Sequence, residues 1–165
     1  MPSADLPAAR GRLVVQATPR LFVAGDVKKY LYSSTEGFEA SGFTQTGAVA
    51  GFGWDDIMVV AVGSEFQVSA RFVHRAGYNH SDNPIPDENS FFNVAAPAVI
   101  ENHLTMGFGF QIGQGVDVHA AYYRAFEAEV SGPMWHPMMG EVPGSNVTSS
   151  IFEDSFVLEF SFHHH

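Results

Sequence analysis

The chain has no cysteine, few cations and no long apolar run, and each of these shortages excludes a class of protein. Without cysteine, neither a disulfide framework nor a thiolate metal site can form. The 8 Lys and Arg residues stand against 18 acidic ones, for a net charge of −10, so the clustered cations that nucleic acid requires are missing. No apolar stretch approaches the roughly 18 residues of a membrane-spanning helix, which excludes a helical membrane protein.

Helical signals are scarce as well, because almost no segment has apolar residues at i, i+3 and i+4. The chain is instead rich in glycine (16), proline (9) and phenylalanine (15). Seven segments show the period-two alternation or β-rich composition of strands. They are residues 11–17, 21–32, 57–68, 71–80, 103–112, 116–130 and 154–162. The sequence therefore predicts an all-β protein of about seven strands.

The two faces of the predicted strands differ in a way that indicates their surroundings. Along residues 103–112, one face holds only large apolar side chains: Leu104, Met106, Phe108, Phe110 and Ile112. A soluble sandwich also has one apolar face per strand, but its other face is typically rich in Lys, Glu and Thr. Here the other faces hold mainly Gly, Ala, Ser, Gln, His, Arg and Glu. That composition favours an apolar face in lipid and a crowded, wet interior.

The connections between the predicted strands alternate between short and long. The short ones are near 18–20, 69–70 and 113–115, and the long ones are 33–56, 81–102 and 131–153. All tight turns therefore lie at one end of the meander and all long loops at the other. This is the layout of an antiparallel, up-and-down transmembrane β-barrel of the bacterial outer membrane.

Several stretches resemble one known family. They are RAGYNHSDNPIPDEN (75–89), HLTMGFGFQIG (103–113), ATPRLFVAGDVKKYLYS (17–33) and PGSNVTSSIFEDSFVLEFSF (143–162). They are similar to motifs of the outer-membrane long-chain fatty-acid and aromatic-hydrocarbon transporter family of the FadL type. That family often carries a RAGY…PIPDE run followed by HLT.GFGY. The resemblance covers nearly all of residues 12–162.

The resemblance implies a barrel of about 14 strands, closed on its periplasmic side by an N-terminal hatch, that takes up hydrophobic molecules. Residues 1–162 resemble only its C-terminal half, and His163–His165 are typical of an affinity-tag remnant. An open half-barrel leaves two edges of unpaired backbone groups in lipid. We therefore expect the missing strands on another chain, in a further part of the same protein, or on a second copy.

Two of the long loops are too apolar for free surface segments. One contains Phe91 and Phe92, and the other contains Met134, Trp135 and Met138. One hypothesis is a hydrophobic capture surface at the outer mouth, with the methionines as an adaptable lining. The other is that the loops fold over one another and plug the mouth. The sequence does not decide between them.

Cationic side chains are predicted to face the interior, where a fatty-acid carboxylate would meet them. Arg75 and His103 are the main candidates, with Lys28, Arg71 and His119 beside them. The favoured alternative is pairing with acidic neighbours, because an unpaired buried charge is costly. Those neighbours are Asp26, Glu65, Asp117, Glu127 and Glu159.

Other polar and aromatic residues are predicted to sit at the membrane interface. Lys29 and Arg124 are expected on the lipid face near the outer strand ends, as anchors. An aromatic girdle is expected at the same end, formed by Tyr30, Tyr32, Trp54, Tyr78, Tyr122 and Tyr123.

No catalytic motif is present, so the chain is not predicted to be an enzyme, and no cofactor is expected. HSDNPIPDEN offers oxygen ligands but lacks calcium-loop spacing, so no metal site is predicted. The leading hypothesis is passive outer-membrane uptake of hydrophobic compounds such as fatty acids or aromatic hydrocarbons, with lipid or detergent around the barrel. The rivals are a structural half-barrel module without a ligand of its own and a soluble lipid-binding β-barrel.

Overall fold

Seven strands form one antiparallel sheet in a computed structural model that describes residues 8–113 and 115–162. Its strands are β1 (Ala8–Thr18), β2 (Leu21–Tyr30), β3 (Ile57–Ser69), β4 (Phe72–Ser81), β5 (Asn102–Gln111), β6 (Val116–Gly132) and β9 (Val147–Phe162), while β7 (Trp135–His136) and β8 (Gly140–Glu141) form a separate hairpin. The sheet order is β1-β2-β3-β4-β5-β6-β9, so β1 to β6 are neighbours in chain order and β6 pairs with β9 across the hairpin. Within the described residues, β1 and β9 are the two open edges of the sheet. The predicted all-β meander is confirmed.

The alternation of short and long connections is also confirmed. The tight turns are 19–20, 70–71 and 112–115, and the long connections are 31–56, 82–101 and 133–146. Gln114, in the last of these turns, lies outside the described residues. The terminal His163–His165, predicted to be a tag remnant, lie outside them as well. Arg71 was predicted to face the interior from a strand. It instead lies in the turn between β3 and β4, because β4 begins one residue later than predicted.

Cross-strand register keeps the two faces of the sheet separate. Val62 lies opposite Tyr78, and the neighbouring Gly63 lies opposite Gly77 on the other face. We call these the apolar face and the polar face. Large side chains of the apolar face are exposed from one edge to the other, from Leu13 (67%) to Phe162 (70%). A sheet that leaves such residues uncovered matches a barrel wall whose outer face contacts lipid.

The buried core lies at the long-loop end of the sheet. Ile85, Val99 and Val130 form a buried cluster, and Trp54, Ala128 and Ile151 pack around it. The second long connection carries the longer of two 3-10 helices, Asp87–Asn93, and the other spans Tyr32–Ser34. We call the three long connections and the adjoining ends of β6 and β9 the loop cap. No helix among the described residues is long and apolar enough to cross a membrane.

The last two strands of the sheet extend further than their apolar alternation predicts. β9 begins at Val147 instead of residue 154, and β6 continues to Gly132 instead of residue 130. The register of this pair shifts between Ala125 and Ala128, beyond which β6 and β9 pair as far as Gly132 and Val147. The extension was missed because VTSSIFE lacks an apolar period. A short hairpin, β7 (Trp135–His136) and β8 (Gly140–Glu141), lies inside the predicted loop 131–153.

Candidate functional site

The loop cap brings three of the predicted site residues together. The rings of Phe91 and Phe92 lie 5.5 Å apart, and the Trp135 ring lies 5.9 Å from Phe92. Phe43, from the first long connection, adds a fourth ring at 5.4 Å from Phe92. We call these four residues the aromatic cluster. Phe43 was not a predicted site residue, because it is a single aromatic residue among small and polar neighbours and belongs to no apolar period.

Members of the aromatic cluster differ in exposure. Phe92 is only 7% exposed, whereas Phe91 and Trp135 are half-buried. The indole Nε1–H of Trp135 donates to the backbone carbonyl of Glu88 at 3.0 Å, which ties the β7–β8 hairpin to the 3-10 helix. Met134 is 43% exposed, and Met138, at the hairpin turn, is 91% exposed. The loops thus fold over one another while leaving apolar side chains at their surface.

One buried amide organises the loop cap from within. Asn93 is 1% exposed. Its Oδ1 accepts from Trp54 Nε1–H at 2.7 Å, and its Nδ2 donates to the carbonyls of Phe52 and Asn89 at 2.8 and 2.9 Å. Each polar atom of this side chain therefore has a partner, as burial requires. Sequence reasoning missed Asn93, since an asparagine in a long loop is ordinarily a turn residue.

A second group of rings lies beside Trp54. Tyr32, Phe38 and Phe52 pack around its indole, with centroid distances of 5.0, 4.9 and 5.7 Å. Partial burial raises the pKa of the Tyr32 hydroxyl, and Tyr30 adds to that effect. The tyrosine therefore remains neutral and acts as packing. Two members of the predicted girdle, Tyr32 and Trp54, thus belong to the loop cap.

A carboxylate closes the first long connection at its base. Asp56 Oδ1 accepts from the Ser33 hydroxyl at 2.7 Å and from the Ser33 backbone N–H at 3.2 Å. These hydrogen bonds, with the Lys29 ammonium 3.8 Å away, hold the pKa of the Asp56 carboxyl below its usual value. The carboxyl stays ionised, so both ends of the connection remain joined just outside the strands.

The polar face carries a concave track. A cavity of about 390 Å³ near the long-loop end includes His103, and an adjoining cavity of about 630 Å³ includes Arg75. Both are lined by Gly77 and Thr105, so they form one continuous surface. The larger cavity has room because small residues pair at two places along it: Gly63 lies opposite Gly77, and Gly107 lies opposite Ala121.

Arg75 and His103 both lie along this track, each with a polar partner. Arg75 Nε donates to Glu65 Oε2 at 2.7 Å, so the arginine is paired as the alternative interpretation expected. His103 Nδ1 lies 3.1 Å from Asn79 Nδ2, and its ring stacks on Tyr123 at 5.4 Å. Neither side chain belongs to the aromatic cluster. The predicted residues therefore divide into two groups, one in the loop cap and one on the polar face.

Lys29 and Arg124 lie on the apolar face near the outer strand ends, as predicted. Lys29 is opposite Met58, and Arg124 is opposite Leu104. Each pairs with an acid, Asp56 at 3.8 Å and Asp154 at 3.7 Å. The carboxylate of Asp154 also accepts from the Tyr122 hydroxyl. Paired charges and a tyrosine hydroxyl at this level suit the boundary between lipid and water.

Comparison with known proteins agrees with this geometry. A family model described as outer membrane protein transport protein (OMPP1/FadL/TodX) matches residues 5–139. No curated protein matches the sequence significantly. A solved Pseudomonas aeruginosa FadL homologue is 18% identical, with 96% of this chain and 36% of that chain covered and a TM-score of 0.66.

Two channel structures are similar to the chain as well. The TodX monoaromatic hydrocarbon channel, solved as a deltaS2 mutant, is 16% identical, with 96% and 35% of the two chains covered and a TM-score of 0.60. The CymD monoaromatic hydrocarbon channel is also 16% identical, with 96% and 36% covered and a TM-score of 0.55. At these identities the likeness establishes the fold. This chain spans little more than a third of each of these structures. Since the family model covers most of the sequence, the chain belongs to the outer membrane transport protein family OMPP1/FadL/TodX.

Proposed function

We propose that this chain is the C-terminal half of an outer-membrane barrel through which small hydrophobic compounds, such as fatty acids or aromatic hydrocarbons, pass without an energy source. Residues 1–162 would supply the loop cap, which such a compound meets first, and one wall of the interior. The observation that carries the proposal is the continuous track on the polar face. Its middle is lined by glycine, alanine and threonine, while the apolar face of the same strands is exposed as a lipid-facing surface is.

The loop cap would serve as the hydrophobic capture surface. Phe91, Trp135 and the methionines Met134 and Met138 keep part of their apolar surface accessible. Phe92 would support them from beneath. Further along, Arg75 and His103 would act as polar contacts on the track. We propose no catalytic activity, since the family is described as one of transport proteins.

The remaining strands of the barrel have to come from elsewhere. The unpaired edges of β1 and β9 would each cost several kcal/mol per exposed backbone group in lipid. We propose that a further part of the same protein, another chain or a second copy supplies them. The mass of the native particle in detergent, measured beside its denatured mass, separates these cases. A discrete dimer of 17.9 kDa chains would contradict a single-chain barrel.

A structural half-barrel without a ligand is the second candidate. It is favoured by the way the loop cap satisfies its own groups, since Trp54, Trp135 and Asn93 all bond within it. A soluble lipid-binding barrel is disfavoured by the membership of an outer-membrane family and by the exposed apolar face.

Blocking the track tests the transport proposal. A Cβ at Gly63 meets only the Ala76 carbonyl at 3.7 Å, an ordinary contact, so Gly63→Leu would fill the track without displacing backbone. We expect cells that carry the complete protein with this variant to take up decanol or toluene no faster than cells without the protein. Gly11→Leu is the matched control, because Gly11 lies on the apolar face and a Cβ there meets nothing within 4 Å.

Transport by the control and loss of transport by Gly63→Leu would support the channel. Uptake unchanged in Gly63→Leu, with the protein present at normal levels in the outer membrane, would contradict the proposed track. Uptake that does not depend on the protein at all would contradict the transport proposal and favour the structural half-barrel without a ligand.

A further inference from the structure

Charge is distributed very unevenly between the loop cap and the rest of the chain. Residues 31–56, 82–101 and 126–153 contain 12 of the 18 acidic residues and no lysine or arginine. The acids are Glu36, Glu39, Asp55, Asp56, Asp82, Asp87, Glu88, Glu101, Glu127, Glu129, Glu141 and Glu153. All but Asp56 and Glu101 are exposed. Among the described residues, Asp56 alone in this set forms an ion pair, with Lys29.

The polar face of the sheet is balanced by comparison. Arg10, Arg12, Lys28 and Arg75 lie on it, and so do Asp26, Glu65, Asp117 and Glu159. Arg10 and Lys28 both reach Asp26, at 2.6 and 3.9 Å, and Arg75 reaches Glu65 at 2.7 Å. A solute on the track therefore meets charges of both signs. A solute that approaches the loop cap from outside first meets acidic side chains, of which only Asp56 forms an ion pair among the described residues.

Two acids directly flank the aromatic cluster. The backbone of Glu88 holds the Trp135 indole, and Glu88 itself is exposed on the 3-10 helix that carries Phe91 and Phe92. Glu141 is the cross-strand partner of Trp135 in the β7–β8 hairpin. The apolar surface of the aromatic cluster thus adjoins two acidic residues. Surface charge of one sign changes the local concentration and association rate of charged solutes by about 10–10³-fold.

We infer that the acidic loop cap is a charge filter, which admits uncharged and cationic apolar molecules to the channel and holds back anionic ones, fatty carboxylates included. This inference rests on the proposed transport function and narrows its substrate class. Because the Debye length is about 8 Å at physiological salt, the filter acts only at short range. Glu88 and Glu141 are therefore its most effective members, since they border the apolar contact surface itself.

Three probes with one carbon skeleton test the filter: 10-bromodecanol, 10-bromodecanoate and 10-bromodecyltrimethylammonium. Bromine quenches tryptophan fluorescence on contact. The fluorescence of Trp135 is obtained as the difference in emission between the parent protein and Trp135→Phe. In the complete barrel at low salt, we expect the alcohol and the ammonium to quench Trp135 at concentrations about tenfold below the carboxylate. In 0.5 M salt the difference between the alcohol and the carboxylate should shrink severalfold.

Glu88→Gln combined with Glu141→Gln should shrink that difference in the same way without added salt. Ala70→Lys combined with Gln111→Lys is the control, because it changes the net charge by the same two units at the tight-turn end. The control should leave the difference unchanged. Equal quenching by the alcohol and the carboxylate at low salt would overturn the filter. Weak quenching by both the carboxylate and the ammonium would also overturn it, because any charge on the probe, and not its sign, would then determine binding.

Uptake of decanol by cells carrying the same protein separates the two failures. If decanol enters and the carboxylate enters equally fast regardless of salt, the filter is wrong and the transport proposal stands. If decanol uptake does not depend on the protein, the transport proposal itself is wrong.

Discussion

Asn93 shows how much of the loop cap depends on one side chain. It joins the first and second long connections by bonding Trp54, Phe52 and Asn89. Asn93 itself is buried, so water does not take the place of its amide without rearrangement. A buried donor or acceptor left unpaired costs about 1–3 kcal/mol.

Asn93→Leu should therefore loosen the loop cap while leaving the sheet intact. We expect amide hydrogen exchange of Phe52–Trp54, whose N–H groups bond to carbonyls of the same connection, to accelerate about tenfold or more. Asn146→Leu is the control, because Asn146 is exposed and bonds only Thr148. Unchanged exchange in Asn93→Leu would mean that the aromatic packing alone holds the loops.

Packing between elements depends on a glycine at the outer end of β6. A Cβ built on Gly132 would overlap the backbone carbonyl of Asp87 and lie 2.7 Å from Ser90 Oγ. The 3-10 helix Asp87–Asn93 can therefore approach β6 only because residue 132 has no side chain. The helix in turn supplies the carbonyl that holds Trp135, so the hairpin depends on the same contact.

Gly132→Ala should push the 3-10 helix away from β6 and cost about 1–3 kcal/mol, the usual penalty of overpacking. Limited proteolysis is expected to cut within residues 82–101 and 133–146 at protease concentrations that leave the parent protein intact. Gly11→Ala, where a Cβ meets nothing within 4 Å, should be cut like the parent. Resistance of Gly132→Ala would show that the connection relaxes without detaching.

On the scale of the whole molecule, the same substitution should cost much more stability on one face of the sheet than on the other. Met106 and Thr105 are consecutive, exposed residues in the middle of β5, one on each face. Met106→Lys places a charge in lipid, which costs about 2–4 kcal/mol near the bilayer midplane. Thr105→Lys points into the wet interior and should cost far less.

Guanidinium unfolding of the complete barrel in lipid vesicles measures this difference, with heat-modifiable gel mobility as the readout of folding. We expect the unfolding midpoint to fall clearly for Met106→Lys and little for Thr105→Lys. Similar midpoints for both variants would contradict the assignment of the apolar face to lipid.

Much of the sheet could be predicted from the sequence alone. Strand identity, the order of short and long connections and the separation of the two faces all follow from period-two alternation, which is a local property of each strand. The apolar composition of two long loops, which is unusual for surface segments, pointed to Phe91, Phe92 and Trp135. The family motifs then pointed to an outer-membrane transporter, and the match to residues 5–139 agrees with them.

Other features were decided only by the tertiary structure. The extension of β9 to Val147 depends on pairing with β6. The segment VTSSIFE has no apolar alternation from which a strand could be predicted. Phe43 and Asn93 became part of the loop cap because connections distant in sequence fold onto one another. Local composition determines which side chains face lipid, since that choice is made strand by strand. Contacts between loops determine where a solute would touch the protein, because loop packing is a property of the folded chain alone.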